Sequence, residues 1–299
     1  MTLSVPARQR VLFGILCLVW GTTWLALKVG ATSVPPALFS GTRWTFAGLL
    51  LIAWRAARGQ PVRVGLRMAG RLTVVAVLMV SLNAVIMLYG LRQIGSGLAA
   101  VISSALTPIS LLGFSVALGQ ERFSRRQAGA IALGVVGIFL LFGPAAIAGR
   151  LTTAELLGAS GVVVGCLCYT AGSVLARPLM RTLAPAQVAA ATNLIGGAVM
   201  LLGSLLFEPG AVAALGGNWG ISAWTAWLFL LLPGSLGATI IYLLLVRDWG
   251  ASRTGTYAFI SPVIAVLLGI LVFGERVRPT DAAGMALMVA AAGLVLRRT

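Results

Sequence analysis

Trp20 and Trp24 stand one helical turn apart in the first long apolar run of the chain, so both rings fall on one helix face. Tryptophan usually gathers at the edges of a bilayer, and Trp20 sits near the middle of its run. A cavity-lining role for the pair therefore competes with packing between helices. Ser103 and Thr107 share the same spacing beside Pro108, as do Tyr257 and Ser261 beside Pro262. Proline inside a helix removes a donor and frees the carbonyl four residues earlier, here those of Ser104 and Ala258. Such carbonyls can meet a solute or water, or be recaptured by nearby hydroxyls, and the competing reading is a plain structural kink. Pro108 and Pro262 are the hinge positions on either reading. Asn83 and Met87 share a face of the third run, and Asn83 must face protein or water rather than lipid. Interhelical bonding is the alternative role for that amide. Arg43 lies well inside the second run, where a guanidinium suits a substrate carboxylate or binds exposed helix carbonyls. Lys28 lies near the end of the first run and reads as a snorkelling residue.

These groups bind; they do not catalyse. The chain has no histidine and only six acids, Glu121, Glu155, Glu208, Asp248, Glu275 and Asp281, all at or beyond the ends of apolar runs. Metal clusters, paired carboxylates and nucleophile triads cannot be built from that inventory. No Walker A sequence is present, and neither a cofactor nor a metal is implied. The usual titrating group of a membrane proton relay is missing as well. Cys17, Cys166 and Cys168 sit within apolar runs as small filler. Thr152-x-x-Glu155 reads as a capping box opening a helix, and Ser124-x-x-Gln127 as a similar start.

The elements that hold these side chains follow from composition. Of 299 residues, 59% are hydrophobic and 9% charged, with a mean hydropathy of +1.02, too little charge for a water-soluble surface. The net charge of +16 falls in short arginine clusters between apolar runs, which is loop charge and not a nucleic-acid stripe. Apolar runs recur at about 11–31, 36–56, 72–92, 97–118, 127–143, 155–176, 187–207, 223–246, 254–273 and 280–296. Each approaches the roughly 20 residues that cross a bilayer as helix. The first run is too long, and lacks a clear cleavage site, for a signal peptide, and reads as a retained helix. Ten spans with cytoplasmic termini put sixteen arginines in inner segments and four in outer ones, a strong positive-inside bias. The expectation is an all-α membrane protein with ten transmembrane helices and both termini cytoplasmic.

The second half echoes the first. Cys17 matches Cys166, Pro36-Ala37 matches Pro185-Ala186, and Lys28 matches Arg177, all at one offset. The same offset pairs Trp20 with Tyr169 and Trp24 with Ser173. Further on, Arg92 and Gly95 match Arg247 and Gly250, which pairs Asn83 with Ala238 and Met87 with Tyr242. Pro-x12-Glu-Arg occurs as Pro108, Glu121, Arg122 and again as Pro262, Glu275, Arg276. Five spans per copy turn the second repeat upside down, giving repeats over 1–148 and 149–299. Inverted repeats are a recurrent plan of secondary transporters, with the solute site near midplane between the halves.

The Trp-Gly pair of the first span, Arg43, the two mid-helix prolines, Glu121 and Glu275 resemble the EamA-type members of the drug/metabolite transporter superfamily. Within it the chain is most similar to the aromatic amino-acid and paraquat exporters. The resemblance implies a ten-helix basket exporting amino acids, related metabolites or organic cations. The cavity expected from Trp20, Trp24, Arg43, Asn83, Met87, Ser103, Thr107, Tyr169, Ser173, Tyr242, Tyr257 and Ser261 suits an amphipathic solute of amino-acid size. Lacking a buried acid, the expected transporter is a gradient-driven facilitator working by alternating access, or one coupled by a route the sequence does not show. Nucleotide sugars would want more cationic groups than Arg43 and Lys28 supply. A non-transporting scaffold would need no such cavity. Lipid and the small solute are the expected partners, and the 37 glycines permit a close-packed monomer.

Overall fold

The computed structural model describes residues 5–94, 96–147, 152–273 and 279–296. Among the described residues the regular structure is entirely helical. The long helices are α1 (Val5–Ser33), α2 (Pro36–Ala57), α3 (Leu66–Gln93), α4 (Ser96–Ala117) and α5 (Arg125–Ile147). They continue as α6 (Thr153–Leu179), α7 (Pro185–Phe207), α8 (Ile221–Trp249), α9 (Tyr257–Phe273) and α10 (Pro279–Leu296). One-turn helices at Ala211–Ala214 and Ala251–Thr254 flank α8.

Local sequence sets most of the ends. Pro36 and Pro185 open α2 and α7 at the first helical position, where a missing N–H costs nothing. Thr152 and Glu155 form the expected capping box, each side chain bonded to the other's backbone N–H. Ser124 Oγ accepts from Gln127 N at 3.4 Å as α5 begins. Gly250 ends α8 with φ 91°, a left-handed value that a side chain would strain.

Two helices carry a feature absent from the periodicity. Val77–Leu82 in α3 and Leu230–Ala238 in α8 wind as π-helix, and the two segments are repeat counterparts. Pro233 sits in the second, where a proline forces the backbone off the α ladder. The first has no proline, so the wider turn belongs to the position in the fold and not to one residue. The expected start of the ninth span also moves: α9 begins at Tyr257, after the separate turn Ala251–Thr254. Gly255, whose Cβ would strike Leu111, lies at that break.

Helix pairing maps onto itself when the first five helices exchange with the last five. α3 packs on α6 as α8 packs on α1, and α4 packs on α6 as α9 packs on α1. α4 meets α5 as α9 meets α10, while α2 lies along α7 and α5 along α10. Glycine permits the α2–α7 contact from both sides. A Cβ on Gly48 would collide with Leu194 backbone, and one on its counterpart Gly197 with Thr45 backbone.

The surface is inverted relative to that of a water-soluble protein. Leu206, Phe207, Leu202 and Leu157 are more than half exposed, whereas Ser40, Arg43, Thr170, Ser173, Asn193 and Ser235 are buried. α3, α6, α7 and α8 are, among the described residues, long and apolar enough to cross a membrane. Apolar groups outside and hydroxyl and amide groups inside are what a lipid solvent selects.

Candidate solute-binding cavity

Four aromatic side chains from four helices form one cluster at the centre of the bundle. Trp20 of α1 meets Tyr257 of α9 edge to face at 4.5 Å between centroids, and Tyr242 of α8 at 5.1 Å. Tyr169 of α6 stands 5.7 Å from Tyr242 and 6.4 Å from Trp20. The Tyr257 hydroxyl donates to that of Tyr169 over 3.5 Å. Aromatic contacts of this kind contribute about 0.5–1.5 kcal/mol per pair beyond burial and so hold the four rings together.

A cavity of about 210 Å³ lies against this cluster, with walls from α1, α2, α3, α4, α6, α7, α8 and α9. Nine expected residues meet on its wall: Trp20, Arg43, Asn83, Met87, Ser103, Thr107, Tyr169, Tyr257 and Ser261. Tyr242 and Ser173 do not reach it; both are fully buried, and Tyr242 supports the rings of Trp20 and Tyr169 from behind. The repeat alignment correctly put these two in the interior but could not tell the wall from the layer beneath. The side chains of Trp24 and Lys28 lie outside the described residues.

The proline positions join the same wall. Ser104 and Ala258, whose carbonyls Pro108 and Pro262 deprive of an in-helix donor, both line the cavity. Thr107 Oγ1 lies 3.2 Å from Cys166 Sγ, linking α4 to α6 beside them. Ser261 Oγ donates to Cys17 O over 3.4 Å, linking α9 to α1.

Arg43 is 5% exposed and bonds a side-chain hydroxyl of a neighbouring helix. Its Nη1 donates to Ser235 Oγ at 2.6 Å, and its guanidinium lies 4.5 Å from the Trp44 ring centroid. Ser235 belongs to the π segment of α8, and its hydroxyl donates to Leu230 O. Asn193 Nδ2 donates to Ser235 O at 3.0 Å, so α2, α7 and α8 meet at one residue. Arg43 Nε, Asn193 Oδ1 and Asn83 Oδ1 are buried without a partner.

Several wall residues were not expected: Trp44, Met79, Cys166, Thr192, Asn193 and Thr239 among them. Thr192 and Asn193 are the repeat counterparts of Arg43 and Trp44 at the offset that pairs Pro36 with Pro185. Extending that alignment along α2 would have found them. Met79 comes to the wall through the π segment, for which the sequence offers no signal.

The described acids lie at the periphery. Among the described residues, Glu121, Glu155, Glu208 and Asp248 lie at or beyond helix ends, and no group of His, Cys, Asp or Glu could hold a metal. Glu121 pairs with Arg177 at 3.8 Å. Glu208 accepts from Ala37 N and Leu38 N at 3.1 and 3.0 Å, and from Tyr89 Oη and Ser204 Oγ at 3.0 and 2.5 Å. It thus satisfies the open donors at the start of α2. Glu275 and the side chain of Asp281 lie outside the described residues.

Comparison with known proteins agrees with this layout. The EamA-like transporter family matches the chain twice, over residues 10–143 and 156–297. "Uncharacterized inner membrane transporter YedA" of Escherichia coli strain K12 is 29% identical, covering 95% of this chain and 90% of the relative. "Uncharacterized transporter YoaV" of Bacillus subtilis is 23% identical over 90% of each. A solved crystal structure, 22% identical, superposes with a TM-score of 0.77 over 96% of both chains and shares the fold. The chain is a multi-pass membrane protein and belongs to the EamA-like transporter family.

Proposed function

We propose that the protein is a secondary transporter of the inner (cytoplasmic) membrane that exports amino acids, aromatic ones included, and related small metabolites. The observation that carries the substrate reading is the cavity wall itself. Aromatic rings, a thioether, hydroxyls and a single guanidinium surround about 210 Å³, with no acid among the described wall residues. A wall of that kind accepts an amphipathic solute and gives it little reason to carry a proton.

Ten crossings, both termini cytoplasmic, and repeats over 1–148 and 149–299 of opposite orientation complete the reading. The self-exchange of helix contacts and the paired π segments support it. Two halves related in that way can trade packing arrangements, opening the cavity to one side and then the other. With no carboxylate among the described wall residues to relay protons, the solute's own gradient drives export.

Organic cations are the second reading, favoured by the rings of Trp20, Tyr169 and Tyr257 on the wall. Flux of labelled amino acids through purified protein in sealed liposomes, without an ion gradient, tests the choice. Saturable flux of amino acids above empty vesicles supports the first reading. Flux of aromatic cations alone supports the second, and flux of neither class overturns both.

A further inference from the structure

The cavity is electrically lopsided, and the two ends of its charge distribution come from different helices. On one wall Arg43 is a permanent cation, 5% exposed, with one hydroxyl and one ring as its company. Among the described residues the ion pairs are Arg177–Glu121 and Arg247–Asp248, and neither gives it a carboxylate. Holding a guanidinium inside a membrane protein is costly, and an anion that arrives and leaves explains its retention better than a fixed partner. Arg43 Nε, still lacking an acceptor, is one arm of the fork that fits a carboxylate.

The acceptors lie elsewhere on the wall. Asn83 Nδ2 donates to Met79 O, which turns Oδ1 away as an acceptor that nothing fills. Ser104 and Ala258 supply the carbonyls released by Pro108 and Pro262. Together these three positions, from α3, α4 and α9, can receive N–H donors.

Building on the reading of the cavity as a solute site, we propose that it selects zwitterions. The solute's carboxylate seats on Arg43, its ammonium on the acceptors of Asn83, Ser104 and Ala258, and its apolar part on the aromatic cluster. Arg43 is then the specificity-determining residue: a solute without an anionic group leaves its charge uncompensated and binds poorly. Ser235 and Asn193 are positioning residues, since they hold the guanidinium and the π segment of α8 together.

Three probes of one shape separate the ends: phenylalanine, 3-phenylpropionate without the ammonium, and phenethylamine without the carboxylate. Binding to the purified full-length chain is followed by quenching of intrinsic tryptophan fluorescence, Trp44 being in contact with Arg43. Wild type is expected to bind phenylalanine most tightly and phenethylamine at least about tenfold more weakly than 3-phenylpropionate. Arg43→Gln is expected to weaken both carboxylates by about tenfold or more and to leave phenethylamine unchanged. Should that variant fail to fold, Arg43→Lys, which keeps the charge but not the fork, is expected to retain the order of preference with weaker binding. Wild type that prefers phenethylamine, or binds none of the three, overturns the proposal, as does a folded Arg43→Gln that binds carboxylates normally. Phenylalanine that binds in this pattern but does not cross liposomes would refute the transport reading and leave the subsite standing.

Discussion

Tyr257 of α9 presents its ring edge-on to Trp20 of α1, 4.5 Å between centroids, and so joins a helix of the second half to one of the first. Its hydroxyl reaches Tyr169 on a third helix. Tyr257→Phe keeps the ring contact and loses only that 3.5 Å bond, so binding and melting temperature are expected to change little. Tyr257→Ala opens the cluster and is expected to cost about 3–5 kcal/mol of local packing unless the site collapses. Flux is expected to fall more than about tenfold in protein that still elutes as a single species. A Tyr257→Ala protein with normal flux would remove the cluster from the solute path.

The crossing of α2 and α7 predicts a sharp contrast between two glycines on one helix. Gly197 faces Thr45 backbone, whereas a Cβ on Gly203 meets nothing within 4 Å. Gly197→Val is expected to destabilise by about 1–3 kcal/mol or prevent folding. Gly203→Ala is expected to be neutral or to stabilise by up to about 1 kcal/mol, because helical glycine carries an entropic cost. Thermal melting in detergent distinguishes the two, and equal effects would contradict the close approach.

Glu208 closes the start of α2 with two backbone N–H donors and draws Tyr89 and Ser204 to the same carboxylate. Glu208→Ala leaves those donors open and is expected to cost about 1–2 kcal/mol, seen as a lower melting temperature. Glu208→Gln keeps an acceptor and is expected to lie between. Tyr89→Phe, removing one of four donors, is expected to do less than Glu208→Ala.

Coupling to protons is expected to be absent. No acid lines the cavity among the described residues, and Glu121 is held in its pair with Arg177 away from the wall. With solute equal on both sides of a liposome membrane, an imposed pH gradient is expected to drive no net movement. Uphill accumulation under that gradient would show a titrating group in the path.

Gly250 tests the junction between α8 and the loop that carries Glu121. Its φ of 91° strains any side chain, and an added Cβ would stand 2.5 Å from Glu121 Oε1, so that carboxylate must shift. Gly250→Ala is expected to lower stability by about 1–3 kcal/mol, combining left-handed strain with displacement of Glu121 from Arg177. Combining it with Glu121→Ala is expected to recover part of the loss, since the steric share disappears. Strict additivity of the two would argue against contact.

The sequence by itself determined the apolar lengths, the clustering of arginines between them, and the recurrence of prolines, cysteines and arginines in both halves. These are local or periodic signals: hydrocarbon thickness sets the run length, and proline acts on its own helix whatever surrounds it. That is why Pro108 and Pro262 with Ser104 and Ala258, and Trp20 with its counterpart Tyr169, are legible in the sequence. Only the tertiary structure decided which buried groups share a cavity. Tyr242 and Tyr169 look alike as buried tyrosines, yet only Tyr169 reaches the wall. Tyr242 instead lies beneath the rings of Trp20 and Tyr169, although its repeat counterpart Met87 reaches the wall after an equivalent π segment. The partner of Arg43 was likewise hidden, because Ser235 lies 192 residues away and meets it only once α2, α7 and α8 pack together. Helical periodicity tells which residues face inward; helix rotation and crossing, fixed by glycine contacts such as Gly48 on Leu194, tell what they face.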